Sequence, residues 1–496
     1  MSLYHEVLDP LKGRSAVASI ALPAGSRVLQ TFATSAVSSP SSCGSCFVSQ
    51  VSLSRCAGCR IACYCSRRCQ QLDWPQHRWE CQAWRSIPAA HASPTLLLVT
   101  RLAFKLFRSS KITEEARNAV LKLCHHLLDH SGEKRQVFDD MTQLVLLLLS
   151  RYKASAKQQI PSFDELENDL KTEILKLFGR VNCNAFSIAN SVTNESLGIG
   201  LFPEGALFNH DCDPNSIVSF KGREMLVHVV KDVAAGQEIT VSYVELLQST
   251  QARRSELKKS YFFDCECARC QAALEEEAGS VKDEWYLDGL VCTHKEGGVC
   301  GGVVVVEKTL DCTVGCAVCK LCGRERDGRE IDRCEKLLKS FEALGVDSEQ
   351  RKWEAYQQKW KLVTQQLQLH PRNARVAAMA REIGNFLCGA TSSELRRLAL
   401  PFFVAELHAV EWLLPKTKLP SRGLLHFQIG KLMFEEVESL TGTLSRADQV
   451  DRLESAAKHL HKSLSILTFA YGSDSTAVQS AQLLLDEMQR SSHQLL

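Results

Sequence analysis

The feature that most constrains this chain is a run of metal-binding residues between positions 43 and 81. Seven cysteines and one histidine recur there in closely spaced pairs, namely Cys43, Cys46, Cys56, Cys59, Cys65, Cys69, His77 and Cys81. Eight such ligands are enough for two tetrahedral zinc sites. A segment of about 40 residues buries too little apolar surface to fold alone, so we expect metal to supply much of its folding free energy.

The remaining cysteines also favour metal over disulfides. The chain has 22 cysteines, many of them in CxxC or CxC pairs, and its first residues show no basic stretch followed by an apolar one. We therefore expect a reducing compartment, where clustered cysteines bind zinc. The densest apolar run, Leu144 to Leu149, is far shorter than the roughly 20 residues that span a bilayer, and it predicts a buried helix instead of a membrane segment.

Length and composition indicate a multidomain globular protein. The 496 residues suit two to four domains, with 45% hydrophobic and 23% charged residues. The net charge of +2 gives no global sign of a nucleic-acid or membrane partner.

Several stretches of different character follow one another along the chain. Residues 1–40 contain short strand-like pieces, and 34–42 are small and polar, which predicts a linker. Residues 88–180 have helical periodicity, 181–245 return to short strands, and the chain from about 330 onward is nearly all helical. Near its end, Ala456 to Phe469 carries an apolar face, and Gly472 is expected to break that helix.

Three further motifs contain polar or metal-binding residues that could form a functional site. The first, LFNHDCDPNSIVSF at 207–220, places Asn209, His210 and Cys212 between apolar flanks. The second is Tyr243, which closes a strand-like segment, and the third is the triplet CxCxxC at Cys265, Cys267 and Cys270. Three thiols are one ligand short of a tetrahedral zinc site.

The segment 43–81 resembles a MYND zinc finger at all eight ligand positions, and Tyr64 before Cys65 agrees as well. The resemblance implies interleaved sites: Cys43, Cys46, Cys65 and Cys69 hold one ion, and Cys56, Cys59, His77 and Cys81 hold the other. Cys63 has no ligand position in that pattern. MYND modules bind proline-containing peptides, so such partners are expected here. The six arginines at 55, 60, 67, 68, 78 and 85 fit that role, or form a solvated charged face.

The other motifs resemble SET-domain lysine methyltransferases, and the combination resembles the SMYD family. This implies an α+β fold with a discontinuous β-rich SET core, an inserted MYND finger, a post-SET zinc segment and an all-α C-terminal domain. The implied divisions are 1–40 for the N-terminal SET part, 41–85 for the finger, 86–180 for a helical insertion, 181–245 for the catalytic core, 246–323 for the post-SET segment and 324–496 for a helical, tetratricopeptide-like domain.

The resemblance also implies an S-adenosylmethionine-dependent protein-lysine N-methyltransferase acting on histone or non-histone proteins. Tyr243 takes the catalytic position and also contacts the donor, and Asn209, His210 and Phe263 belong to the donor site. Lys12-Gly13-Arg14 matches the N-terminal loop over the donor, so Lys12 and Arg14 are expected to bind it. The segment Asn182 to Phe186 belongs to the same region. Cys212 supplies the fourth ligand of the zinc held by Cys265, Cys267 and Cys270.

A fourth zinc is suggested by a further pair of knuckles. Cys292, Cys300, Cys319 and Cys322 have ribbon-like spacing, with Cys312, Cys316 and His294 as alternative ligands. The expected total is therefore three zinc ions, or four if this site forms.

Two residues depart from the family pattern, and other functions compete. Asp211 stands where serine is usual, and Ser15 stands where a second glycine is usual.

A non-catalytic adaptor that recruits partners in transcriptional regulation is the main alternative, because fold alone does not establish activity. A zinc-dependent DNA-binding regulator fits the near-zero net charge poorly. We expect a monomer of the cytoplasm or nucleus, with no membrane partner.

Overall fold

The structure is a computed structural model. It describes residues 2–10, 12–49, 52–85, 87–88, 92–107, 112–155, 163–193, 195–274, 283–294, 300–308, 314–342, 348–415, 418–440 and 444–495. The chain divides into two compact units. The first comprises Met1–Val241 and Leu257–Asp264, and the second comprises Ser242–Glu256 and Cys265–Leu496.

The first unit begins with strands and ends with strands around a helical middle. Its strands are β1 Tyr4–Asp9, β2 Gly13–Ala18, β3 Arg27–Phe32, β4 Ser35–Ser38, β5 Ser54–Arg55, β6 Cys63–Tyr64, β7 Ala185–Ala189, β8 Ser196–Leu201, β9 Asn209–His210, β10 Ser216–Lys221, β11 Glu224–Val229 and β12 Thr240–Val241. Its helices are α1 Arg67–Trp84, α2 Pro94–Phe107, α3 Glu114–Leu121, α4 Gly132–Ser155 and α5 Phe163–Asn184, and a 3-10 turn covers Gly205–Leu207.

Small sheets bring the two ends of this unit together. Strand β3 pairs antiparallel with β11, and β4 pairs antiparallel with β8, so N-terminal strands join strands that follow them by more than 150 residues. The short strands β9 and β12 are parallel. Helices α1, α2, α4 and α5 enclose an apolar core, with Leu98, Leu102, Leu148 and Phe178 fully buried.

The linker predicted at 34–42 is wrong in its first half. Ser35–Ser38 forms β4, and Ala36 is completely buried there. The backbone of β4 approaches β8 at Gly198, where a Cβ atom would lie 2.2 Å from the carbonyl oxygen of Val37. Serine and alanine have weak strand preference, so the pairing depends on this close packing and not on local propensity.

The second unit contains a small sheet followed by helices. Its strands are β13 Leu290–Val291, β14 Val303–Lys308 and β15 Val314–Cys319, paired antiparallel in that order. Helix α6 spans Thr250–Tyr261, and only its residues up to Glu256 belong to this unit. The later helices are α7 Ala268–Leu274, α8 Asp283–Asp288, α9 Gly328–Glu342, α10 Glu349–Lys361, α11 Ala374–Cys388, α12 Ser393–Arg397, α13 Leu400–Leu413, α14 Pro420–Ser439, α15 Arg446–Tyr471 and α16 Thr476–Leu495. One π-helical turn covers Leu362–Gln366.

Helix α15 shows how the C-terminal helices are delimited. Ser445 caps its first turn by accepting from the amide of Asp448, and Gly472 ends it with a φ of 82°. The predicted break at Gly472 is therefore confirmed, and glycine suits it because a positive φ strains other residues. Leu460 and Leu467 are fully buried on the predicted apolar face.

The α+β class, the inserted cysteine-rich finger and the helical C-terminal region are confirmed. Within the described part of the chain, no helix combines the length and apolar character needed to cross a bilayer. The domain boundaries and the tetratricopeptide-like arrangement stay predictions.

Candidate functional site

The finger segment forms two metal-binding clusters. The structure brings together Cys43, Cys46, Cys65 and Cys69 in one, and Cys56, Cys59, His77 and Cys81 in the other. Three sulfur–sulfur distances in the clusters are 3.5 to 3.6 Å, and all ligand atoms of each cluster lie within 4.8 Å of one another. Four thiolates at about 2.3 Å from a tetrahedral ion would stand roughly 3.8 Å apart, so both sets fit zinc.

The interleaving follows from how the segment folds. Strands β5 and β6 form a hairpin that carries ligands of both clusters near its ends. Helix α1 supplies Cys69, His77 and Cys81, the last two separated by four residues and so on the same face. Cys63 is buried outside both clusters, and its thiol lies 3.7 Å from the carbonyl oxygen of Ile61. The expectation that it is not a ligand agrees with this placement.

A buried ion-pair network stands behind the ligand His77. Its Nε2 atom faces the cluster, 3.4 Å from the Cys56 sulfur, and its Nδ1 lies 3.8 Å from Glu80 Oε2. Arg101 on α2 donates two hydrogen bonds to the Glu80 carboxylate. It donates a third, of 2.6 Å, to the carbonyl oxygen of Ala36 on β4. A carboxylate behind a ligating histidine orients the ring and raises its basicity.

Asp73 extends the network. Its Oδ2 accepts a 2.8 Å hydrogen bond from the Tyr64 hydroxyl and lies 3.7 Å from Arg101 Nη2. Burial opposes ionisation of Glu80, yet the adjacent Arg101 charge holds the pKa of that carboxyl below its usual range. Sequence reasoning missed Arg101, because an arginine inside an otherwise apolar helical pattern gives no sign of its distant partners. The available signal was a charged residue in the mainly apolar sequence of α2, which also carries Lys105.

The third group of thiols belongs to the second unit. The sulfur atoms of Cys265, Cys267 and Cys270 lie within 4.8 Å of one another, with Cys265 and Cys270 buried. Cys212 lies in the first unit, where it is completely buried and 3.2 Å from Nε2 of His210. Its assignment as the fourth ligand stays a sequence-based prediction.

The fourth cluster uses the predicted ribbon cysteines. Cys292, Cys300, Cys319 and Cys322 converge within 4.8 Å, with sulfur separations of 3.6 Å for Cys292 and Cys322 and 3.7 Å for Cys300 and Cys319. The four thiols fit a zinc ribbon. Of the alternatives, Cys312 and the side chain of Cys316 lie outside the described residues, and His294 is not in the cluster.

The predicted donor site is organised around the carboxamide of Asn209. Its Nδ2 donates to the carbonyl oxygen of Arg14 at 3.1 Å and to Glu238 Oε1 at 2.9 Å. The other Glu238 oxygen accepts from Lys12 Nζ at 2.7 Å, and this hydrogen bond raises the pKa of Lys12. Because both Nδ2 hydrogens are engaged, the carboxamide oxygen is what Asn209 can offer to a ligand.

Parallel pairing of β9 and β12 fixes the position of Asn209. It lies opposite Thr240 in the register. Buried Asn215 ties the neighbouring chains together, since its Oδ1 accepts from the Thr240 amide and its Nδ2 donates to the carbonyl oxygen of Glu238, both at 2.8 Å. The conformation of the LFNHDCDPN motif is therefore held by side-chain hydrogen bonds as well as by the strand.

His210 and Phe263 lie side by side, with ring centroids 6.2 Å apart and an interplanar angle of 52°. Lys12, Arg14, Asn209, His210 and Phe263 all belong to the first unit.

Glu238, which links Lys12 with Asn209, was missed by sequence reasoning. It was visible only as one carboxylate in a turn, and long-range pairing gives it its place.

The two departures from the family pattern are accommodated locally. Ser15 lies in β2 opposite Val7, and its hydroxyl donates to the Val7 carbonyl oxygen at 3.3 Å. The position that needs a positive φ is Gly13, at 76°, so a strand residue at 15 requires no glycine. Asp211 accepts from the Asp213 amide at 2.7 Å, which closes a tight turn.

Tyr243 lies in the second unit and is half-buried. The residues that follow it are firmly anchored. Glu245 Oε2 accepts from Arg381 on α11 at 2.7 Å, and Arg269 donates to the carbonyl oxygen of Leu246 at 3.1 Å. Arg381 also donates to Glu406 on α13. Sequence reasoning missed this anchor, because Glu245 and Arg381 are more than 130 residues apart.

Comparison with known proteins agrees with these observations. The family model described as "MYND finger" matches residues 43–81. The chain is 32% identical over 229 residues to the histone-lysine N-methyltransferase SMYD3 of Mus musculus, a match covering 46% of this chain and 51% of that protein. It is 35% identical to the N-lysine methyltransferase SMYD2-B of Danio rerio, over 46% of this chain and 50% of that one.

A third relative extends the match. The histone-lysine N-methyltransferase ASHR1 of Arabidopsis thaliana is 30% identical over 314 residues, which cover 61% of this chain and 59% of that protein. The chain therefore spans about half to three fifths of the length of these relatives. A solved structure, Rubisco LSMT bound to AdoMet, aligns at 12% identity with a TM-score of 0.31, too low to support an argument about fold.

Proposed function

We propose that this chain, which is similar to SMYD lysine methyltransferases over about half of its length, is a protein-lysine N-methyltransferase that uses S-adenosylmethionine. The observation that carries the proposal is the junction at Asn209, which joins the loop of Lys12 and Arg14 to Glu238. Three segments that are distant in sequence converge there, and two of them, the Lys12–Arg14 loop and the Asn209 motif, are expected to hold the donor.

The residues at this junction fit the amino-acid end of the donor. Lys12 and Arg14 carry the positive charge that a carboxylate needs, and the carboxamide oxygen of Asn209 can accept from an ammonium group. Phe263 beside His210 provides an aromatic face for the adenine. The open space around Gly13, where a Cβ atom would meet nothing within 4 Å, leaves room for a ligand. S-adenosylmethionine supplies the methyl group when bound.

The protein must then present a neutral lysine. A free lysine has a pKa of about 10.4, so its neutral form costs about 4 kcal/mol near pH 7.4. Desolvation of the substrate amine lowers this cost because it disfavours the ammonium. Tyr243 is proposed to orient the amine through its hydroxyl, which contributes by alignment and does not require a strong base.

A zinc ion held by Cys212, Cys265, Cys267 and Cys270 is part of the proposal. A fourth thiolate would complete the three that converge in the second unit. His210 Nε2, at 3.2 Å from the Cys212 sulfur, could then donate to that thiolate. This would couple the donor motif to the metal site.

The decisive experiment uses radiolabelled S-adenosylmethionine with a panel of histones and a proteome extract. The wild-type protein is expected to transfer label to lysine, and Tyr243→Phe is expected to transfer about 100-fold less while retaining the fold. Tyr286→Phe, in the same unit, is the matched control and should keep full activity. A wild-type protein that neither binds the donor nor labels any protein would favour a non-catalytic adaptor.

The finger is proposed to recruit protein partners, which include proline-containing peptides. All six of its arginines are exposed, whereas its two carboxylates, Asp73 and Glu80, are buried. Its surface is therefore cationic and suits segments that carry acidic residues. We further propose that the protein acts as a monomer in the cytoplasm or nucleus.

A further inference from the structure

Glu238 joins the loop of Lys12 to the Asn209 motif at the predicted donor site. One of its carboxylate oxygens accepts from Lys12 Nζ at 2.7 Å, and the other accepts from Asn209 Nδ2 at 2.9 Å. We propose that Glu238 is a specificity-determining residue, which orients the Asn209 carboxamide so that the site accepts a zwitterionic amino-acid group and rejects a phosphate. The inference rests on the proposed function, since it takes this junction to be the donor site.

The orientation of the Asn209 carboxamide follows from its neighbours. Its Nδ2 donates to the carbonyl oxygen of Arg14 at 3.1 Å as well as to Glu238. A carbonyl oxygen and a carboxylate can only accept hydrogen bonds, so the atom that faces both of them must be the amide nitrogen. The carboxamide oxygen, which is an acceptor, is consequently the atom that Asn209 presents to a ligand.

The backbone of Glu238 is fixed by two neighbouring segments. It forms an antiparallel bridge with Val17 of β2, and the amide of the adjacent Ile239 donates to the carbonyl oxygen of Ala16 at 2.8 Å. Asn215 Nδ2 donates to the Glu238 carbonyl oxygen, also at 2.8 Å. Because the backbone is anchored and the side chain is only 20% exposed, the carboxylate is held at the junction.

A zwitterionic amino acid and a phosphate place different demands on this site. The amino acid carries a carboxylate, which Lys12 and Arg14 can neutralise, and an ammonium group, which needs acceptors such as the Asn209 carboxamide oxygen. An ionised phosphate has acceptors only, so it would meet that oxygen without a hydrogen bond and would be repelled by Glu238. Unpaired polar groups and like charges at a binding site are strongly unfavourable. The site therefore favours adenosine ligands that carry an amino acid over nucleotides.

Only a carboxylate can satisfy both neighbours of Glu238. Lys12 Nζ and Asn209 Nδ2 are both donors, and Glu238 offers one oxygen to each. In Glu238→Gln one oxygen becomes an amide nitrogen, so one of the two donors faces an N–H group. The variant also removes the negative charge. The Asn209 carboxamide is then expected to turn its Nδ2 towards the ligand, which disfavours an ammonium group and favours a phosphate.

The test compares ligands that share adenosine and differ in the group attached to it. S-adenosylhomocysteine carries an amino acid, methylthioadenosine lacks it, and ADP carries phosphates. Calorimetry and competition on the full-length, zinc-loaded protein, without magnesium, give the dissociation constants. In Glu238→Gln, S-adenosylhomocysteine should bind about tenfold more weakly, because a hydrogen bond to a charged group is lost. Methylthioadenosine should stay within about twofold, and ADP should bind at least about threefold more tightly.

Two further variants separate this role from a loss of folding. In the matched control Glu224→Gln, the replaced carboxylate accepts from Gln30 Nε2 at 2.7 Å between β11 and β3, and none of the dissociation constants should change. In an Asn209→Ala background, Glu238→Gln should lose most of its effect on S-adenosylhomocysteine, because no carboxamide remains to be oriented.

Opposite changes for S-adenosylhomocysteine and ADP distinguish specificity from a general loosening of the site, which weakens all the ligands together. An ADP affinity that does not rise in Glu238→Gln, or an S-adenosylhomocysteine affinity that falls no more than that of methylthioadenosine, would overturn the inference and leave the donor site assigned. A wild-type protein that binds neither S-adenosylhomocysteine nor methylthioadenosine would overturn the donor-site assignment as well.

Discussion

The guanidinium of Arg101 holds the carboxylate of Glu80 through hydrogen bonds of 2.5 and 2.8 Å, with both side chains almost completely buried. Arg101 also reaches the carbonyl oxygen of Ala36. One side chain on α2 thereby connects the residue behind the zinc ligand His77 to strand β4. The metal-bound finger and the strands beside it are consequently expected to lose stability together.

Replacing Arg101 should therefore be costly. In Arg101→Met, Glu80 becomes a buried carboxylate without its cation, and the expected loss is about 3–5 kcal/mol in the free energy of unfolding. Removal of a group that orients a ligating histidine should also weaken zinc binding at the second cluster by about tenfold or more. Urea unfolding and chelator competition measure the two effects.

Arg117 provides the matched control. It forms an exposed pair with Glu114 on α3 at 3.6 Å. Arg117→Met should change stability by no more than about 0.5 kcal/mol. Equal losses for the two variants would show that the buried network has no special role.

The number of zinc ions bound per chain should equal the number of metal sites. We expect four zinc ions per chain by emission spectrometry, and one fewer in Cys319→Ser, because a cluster with three thiolates binds zinc more weakly. Cys63→Ser should retain all four, since Cys63 lies outside the clusters. Unchanged zinc in Cys319→Ser would remove the ribbon site from the count.

Loss of the Glu245–Arg381 ion pair, which anchors the segment that follows Tyr243, should lower turnover. In Glu245→Gln the ion pair with Arg381 is lost, while Glu406 keeps its arginine. Looser positioning of the adjacent tyrosine is expected to lower kcat about tenfold, with little change in stability. Steady-state methylation assays and thermal unfolding separate the two quantities.

The control for that variant is a second ion pair of α11, between Arg375 and Glu335 on α9. Arg375 makes a bidentate, exposed pair with Glu335, at 2.6 and 3.0 Å. Glu335→Gln should leave kcat unchanged, because Glu335 anchors no part of the segment that carries Tyr243, the proposed catalytic residue. A comparable loss in both variants would argue against a role for the Glu245 anchor.

A buried histidine pair predicts how stability varies with pH. His426 on α14 lies with its Nδ1 3.0 Å from Nδ1 of His459 on α15, and its Nε2 is 3.4 Å from Glu411. Burial, followed by the charges of His459, Lys462 and Arg422, lowers the pKa of His426 to about 3. The folded protein thus keeps this ring neutral at pH values where an unfolded histidine, with a pKa of about 6.5, takes up a proton.

Because the unfolded state binds the extra proton, stability must fall as the pH drops below about 6.5. Between pH 7.5 and 5.5 the wild-type protein should lose about 1.4 kcal/mol more than His426→Gln, as measured by urea unfolding. Parallel curves for the two proteins would show that His426 does not titrate on unfolding over this range.

The zinc-binding residues show how much spacing alone can predict. Ligands such as Cys43 and Cys46 are close in sequence, and zinc accepts few geometries, so their spacing and the family resemblance sufficed to propose the sets that converge in the structure. Spacing also predicted the fourth cluster, although Cys312, Cys316 and His294 were alternative ligands for it. Chain-local features such as the break at Gly472 were also predictable, because they depend on backbone conformation.

Tertiary structure decided what depends on partners far along the chain. Nothing local marks Ser35–Ser38 as a strand, Arg101 as the clamp on Glu80, or Glu238 as the link between Lys12 and Asn209. A buried charge or a small-residue strand is stable only when a specific partner lies opposite it. The sequence by itself thus determined the metal-binding chemistry and predicted the donor motifs, and the folded chain decided which side chains hold them in position.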